Sequence, residues 1–122
     1  MIKQLLLLKF KPDVEYDKIS SLLERWHGLT SVENVLSVET GPNVGLDQYE
    51  HDFSHAIVTK LPNKEAIQSL QSNPTYVQLA SELNDLIQQV LIFDLDVSKS
   101  APNKKEGNKV PARNEIKVGQ TV

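Results

Sequence analysis

Cysteine is absent from this 122-residue chain, which excludes disulfides and thiolate metal sites and suits a reducing compartment. Aromatic residues are scarce: one tryptophan, three tyrosines and three phenylalanines. A core has to be built mainly from aliphatic side chains. No apolar run approaches the roughly 20 residues that a membrane-spanning helix needs. The apolar stretch at residues 5–8 is too short and too near the start to serve as a secretory leader. These absences lead us to expect a cytoplasmic protein with no membrane contact. Positive charge is lacking where nucleic acid would need it. Residues 98–122 hold six basic and two acidic side chains, a net of +4, so the overall −3 leaves −7 on residues 1–97. Phosphate contacts require clustered Lys and Arg, so nucleic acid is not an expected partner.

What is present begins with residues 2–11, a strand whose two faces are both greasy. Successive side chains point to opposite sides, placing Gln4, Leu6, Leu8 and Phe10 on one face and Lys3, Leu5, Leu7 and Lys9 on the other. The chain offers only enough amphipathic helix to cover one side of a small sheet. A second copy of the same sheet is the simplest cover for Leu5 and Leu7, so a homodimer through the sheet face is expected.

Asp13 suits the N-cap of a helix carrying Ile19, Leu22, Leu23, Trp26 and Leu29 on one face. Residues 34–40 read as a second strand stopped by Gly41-Pro42-Asn43, and residues 53–61 as a third. On the third, Phe53, His55, Ile57, Thr59 and Leu61 share a face. Pro62-Asn63 opens a second helix, which Asn73-Pro74 restarts. Residues 90–96 form a fourth strand, again apolar on both faces. The order β-α-β-β-α-β is the ferredoxin-like arrangement, an α+β fold with a four-stranded antiparallel sheet. The domain is expected over residues 1–97. Residues 98–122 are rich in Ser, Pro, Asn, Lys and Gly, too poor in apolar side chains to offset their ordering entropy, and are read as a basic tail without fixed structure.

Gln4-Leu-Leu-Leu-Leu-Lys-Phe-Lys11, Val38-Glu-Thr-Gly-Pro-Asn43, Phe53-Ser-His-Ala-Ile-Val58, Asn73-Pro-Thr-Tyr-Val77 and Leu91-Ile-Phe-Asp94 occur in this order. Together they resemble the stress-responsive A/B barrel domain family over residues 2–96. The resemblance implies a dimeric α+β barrel, in which two sheets pack face to face with helices outside. It also implies a ligand pocket between sheet and helices. The best understood catalytic relative is a plant cyclase that closes a polyketide ring without metal or cofactor, so the resemblance implies chemistry of that kind. His55 then falls on the family's third-strand histidine, Trp26 on a pocket aromatic, and Leu6, Leu8 and Leu22 on pocket walls. Tyr76 stands where that cyclase has a catalytic histidine, Leu70 where it has a catalytic tyrosine, and Gln4 where it has a first-strand histidine.

The candidate catalytic residues are therefore His55, as a general base, and Tyr76, as a proton donor to a substrate carbonyl. The candidate ligand-binding residues are Gln4, Leu6, Leu8, Leu22, Trp26, Thr59 and Leu70, with His55 as a hydrogen-bonding partner for Gln4. Neither residue departs far from an ordinary structural role: a histidine bonded within the core, a tyrosine packed at a helix start. Glu50, His51 and Asp52 are consecutive loop residues and read as a solvated loop, so no metal or other cofactor is expected. Two functions follow. One is a pocket protein binding a small apolar carbonyl compound, in the manner of a cofactor-free lyase or cyclase. The other is a non-catalytic dimerisation or interaction module whose tail recruits a partner.

Overall fold

A computed structural model describes residues 1–45 and 53–97. The tail and the Glu50–His51–Asp52 stretch lie outside the described residues. Among the described residues, four strands and three α-helices follow in the order β1 (Ile2–Phe10), α1 (Tyr16–Trp26), β2 (Ser37–Pro42), β3 (His55–Leu61), α2 (Lys64–Ser72), α3 (Pro74–Leu86) and β4 (Ile87–Asp96). The sheet is antiparallel with strand order β2-β3-β1-β4, the ferredoxin-like topology expected from the sequence.

The two-residue period of β1 governs the layering. Ile2, Gln4, Leu6 and Leu8 are buried beneath the helices, whereas Lys3, Leu5, Leu7 and Lys9 are only half-buried on the opposite face. The covered face meets the apolar stripe of α1, where Ile19, Leu22, Leu23 and Trp26 are all buried, as the helical spacing anticipated. On the open face, cross-strand pairing sets Leu5 between Val58 and Phe93, and Leu7 between Ala56 and Leu91. Phe93 and Leu95 are among the exposed large apolar residues.

Several boundaries differ from the sequence reading. Asp13 does not cap α1: the N-cap is Glu15, without a side-chain cap bond, and the helix starts at Tyr16. After Trp26 the helix tightens into a 3-10 turn over His27–Ser31, so Leu29 stays buried although it lies beyond the α-helix. Asn34, expected to open the second strand, takes a left-handed conformation with φ 73°, which Asn tolerates better than most residues. The strand begins at Ser37 instead and continues through Pro42. A proline is accommodated there because β2 is an edge strand, where a missing N–H need not break a ladder. The fourth strand, expected from residue 90, begins earlier: Ile87 is extended (φ −96°, ψ 151°) and starts β4, next to an irregularity in the pairing with Lys9 and Phe10.

Asparagine caps hold as expected. Asn63 accepts a hydrogen bond from the Ala66 amide (2.9 Å), opening α2. Asn73 accepts from the amides of Thr75 (2.8 Å) and Tyr76 (3.3 Å), with Pro74 beginning α3. Among the described residues, no helix is long and apolar enough to cross a membrane.

Candidate functional site

The Asn73 cap fixes the first turn of α3 and with it Tyr76. The Tyr76 ring meets that of Trp26 edge to face, with centroids 5.5 Å apart and an interplanar angle of 85°. Burial holds the Tyr76 hydroxyl above its ordinary pKa, and the nearby Asp94 carboxylate raises it further. The phenol therefore keeps its proton at neutral pH and has an O–H to donate. Asp94 is exposed on β4 and pairs across the strands with Gln4, whose other neighbour is Thr59 on β3. Gln4 and Thr59 are the buried polar residues of the covered face. Trp26 Nε1 is the one fully buried side-chain polar atom lacking a hydrogen-bond partner among the described residues. Such an orphan costs about 1–3 kcal/mol unless something accepts from it.

Of the expected pocket residues, Gln4, Thr59, Trp26 and Tyr76 thus gather at one corner of the covered face. Leu6, Leu8, Leu22 and Leu70 are buried in the same hydrophobic cluster, each no more than 4% exposed. They form a packed floor.

His55 is not at this corner. It pairs with Leu8 on β1 and Pro42 on β2, four strand residues from the level of Gln4 and Thr59, or about 13 Å along the strand. Gln4 therefore does not partner His55, contrary to expectation. Instead, His55 Nδ1 shares a 2.8 Å hydrogen bond with Ser54 Oγ, and its ring packs edge-on to Phe10 with centroids 5.5 Å apart. Burial lowers its pKa, leaving the ring neutral at pH 7. Between the level of His55 and that of Thr59 on the covered face lies the Leu6–Ile57 pair, both buried.

His55 faces a separate cleft of about 290 Å³ between α1 and the β2–β3 end, also lined by His27 and Thr40. His27 Nε2 and Thr40 Oγ1 share a hydrogen bond of 3.0 Å. Sequence reasoning missed His27, because it is the residue after Trp26 and lies off the buried helical stripe. It also missed Asp94, although the alternation Val90, Ile92, Asp94 carried the signal, a charge on the covered face. Among the described residues, no group of three or more His, Asp or Glu is placed to hold a metal ion.

Residues 2–97 match the family described as the stress responsive A/B barrel domain. Two Arabidopsis thaliana proteins with that domain are similar in sequence. The stress-response A/B barrel domain-containing protein HS1 is 24% identical over 94 residues, covering 76% of this chain and 86% of its own. A second is 28% identical over 101 residues, covering 79% and 86%. Among solved structures, a hydroxynitrile lyase from Passiflora edulis superposes with a TM-score of 0.75 at 12% identity, over 83% of this chain and 96% of that one. A dimeric ferredoxin-like protein of unknown function from Jannaschia sp. CCS1 gives 0.71 at 19% identity, over 79% and 98%. At these identities the likeness establishes the shared fold.

Proposed function

The chain belongs to the stress-responsive A/B barrel domain family, and we propose that it acts as a homodimer binding a small apolar carbonyl compound at the Tyr76–Trp26 corner. One observation carries the ligand reading. The unpartnered Trp26 Nε1 belongs to a ring in edge-to-face contact with that of Tyr76, whose phenol is protonated, so the two contacting rings each carry a donor. A carbonyl oxygen accepting from both would remove the cost of the orphaned indole and polarise the carbonyl carbon. Asp94, close enough to raise the Tyr76 pKa, is a carboxylate available to take a proton from the neighbouring carbon. That set fits a cofactor-free lyase or cyclase step, with Tyr76 as the donor, Asp94 as the base, and Gln4 and Thr59 as orienting groups. His55 has no part in it. Lyase chemistry on this architecture has a precedent in the Passiflora protein.

Titration calorimetry with acetophenone, against ethylbenzene as the control lacking oxygen, tests the reading. Saturable binding of the ketone alone is expected, weakened about tenfold by Tyr76→Phe, the worth of one hydrogen bond from a buried donor. Equal binding of both compounds, or of neither, would overturn it.

The homodimer reading rests on the open sheet face, where Leu5, Leu7, Val58 and Phe93 form a contiguous apolar surface rimmed by Lys3, Lys9 and Lys60. Soluble proteins rarely leave such a patch wet. Related structures are described as dimeric.

A second reading has its own support. The close packing of Leu6, Leu8, Leu22 and Leu70 leaves little room for a deep cavity and favours a non-catalytic interaction module. Removing residues 98–122 separates the two: a pocket protein keeps its ketone affinity, whereas an interaction module loses its partner.

A further inference from the structure

The cleft that holds His55 is built from different elements and owes nothing to the carbonyl site. It opens between α1 and the end of the β2–β3 pair, with Tyr16, Glu24 and His27 on one side and Thr40, Pro42 and His55 on the other. Its volume of about 290 Å³ suits a molecule the size of a single substituted ring.

The lining has a consistent chemistry. No lysine or arginine is among the described residues that line it, and Glu24 supplies the carboxylate. The two imidazoles are each tied at one nitrogen, His27 Nε2 to Thr40 Oγ1 (3.0 Å) and His55 Nδ1 to Ser54 Oγ (2.8 Å). Where a ring donates to its hydroxyl, the opposite nitrogen of the neutral imidazole is left as an acceptor. In those tautomers the cleft offers a carboxylate and two imidazole acceptors. Tyr16, with 72% of its surface exposed, offers an aromatic face at the rim, and Leu23 and Pro42 offer apolar walls. Acceptors, one negative charge and a ring face together describe a receptor for a cation with an apolar body.

We propose that the cleft between α1 and the β2–β3 end is a second binding site, taking a small organic amine in its protonated form. The ammonium pairs with Glu24 and donates to the free imidazole nitrogens, while its apolar part lies against Tyr16, Leu23 and Pro42. The two sites are separable. On the covered face the buried Leu6–Ile57 pair stands between the level of His55 and that of Gln4 and Thr59.

Benzylamine is the probe, with benzyl alcohol as its uncharged counterpart, and the histidine ring resonances of the intact protein are the readout. Three histidines give three sets of signals, from His27, His51 and His55. Benzylamine should shift those of His27 and His55 saturably. Glu24→Gln, an exposed change in α1 whose fold is checked by circular dichroism, should weaken binding about tenfold, as expected for loss of a charge-assisted hydrogen bond. Tyr76→Phe should leave it unchanged. Benzyl alcohol binding as tightly as the amine, shifts at His51 alone, or an affinity indifferent to Glu24→Gln would each overturn the proposal.

Discussion

Leu5 and Leu8 belong to the same strand, three residues apart, and the sheet treats them oppositely. Leu8 is fully buried under the helices, between His55 and Val90 on the neighbouring strands. Leu5 is half-buried on the other face, with Val58 and Phe93 as its strand neighbours. The difference shows where each leucine's burial must come from. On the covered face it is intramolecular and independent of concentration. On the open face any further burial would have to come from a second molecule, so in the proposed homodimer it would follow mass action.

The largest effect that sharpens this contrast is Leu8→Ala, expected to cost about 2–5 kcal/mol in urea unfolding, at every protein concentration, by transfer loss plus a cavity. Leu5→Asp should do the reverse: the chain stays folded and sedimentation at micromolar concentration shows a monomer where the parent shows a dimer. A parent that sediments as a monomer breaks the comparison outright. Asn73→Ala acts on the covered side only, removing the cap that positions Tyr76. A loss of about 1 kcal/mol is expected, with dimerisation untouched. The smallest effect concerns Arg25 on α1 and Glu82 on α3, a surface ion pair joined by Gln78. Its hydrogen bonds hold the Glu82 pKa down at about 2, against 4.5 in the unfolded chain. A lowered carboxylate pKa stabilises the fold above pH 4.5 and loses that contribution as pH falls toward 2. Thermal melts of Glu82→Gln and the parent should therefore differ slightly at neutral pH and converge in that acid window. A difference that persists at pH 2 would count against the pairing.

The contrast between the faces was legible in the first ten residues, because alternation depends on nothing but the backbone. The element order and the helical stripes of Ile19, Leu22, Leu23 and Trp26 were legible for the same reason. Boundaries were less so where tertiary context decided them: Pro42 survives in β2 because the edge asks for no amide, and Ile87 leaves the helix to pair with β1. At the candidate site, sequence grouped His55 with Tyr76 and Gln4 because alternation and the family resemblance put them on one covered face. Facing the same side does not fix height along the strand. That height is set by the register of β3 on β1, which puts Thr59, not His55, opposite Gln4. Asp94 was visible as a charge in an apolar alternation. His27 gave no periodic signal, since only the 3-10 turn that follows α1 carries it toward β2.

Trp26 and His27 are joined by one peptide bond, yet the indole is packed against Tyr76 while the imidazole is bonded to Thr40. Trp26 is also the chain's only tryptophan. The intrinsic emission of the unlabelled protein is therefore a native optical gauge for the Tyr76 corner. Through that single link it would also report on the proposed amine site, should filling the histidine side move the end of α1.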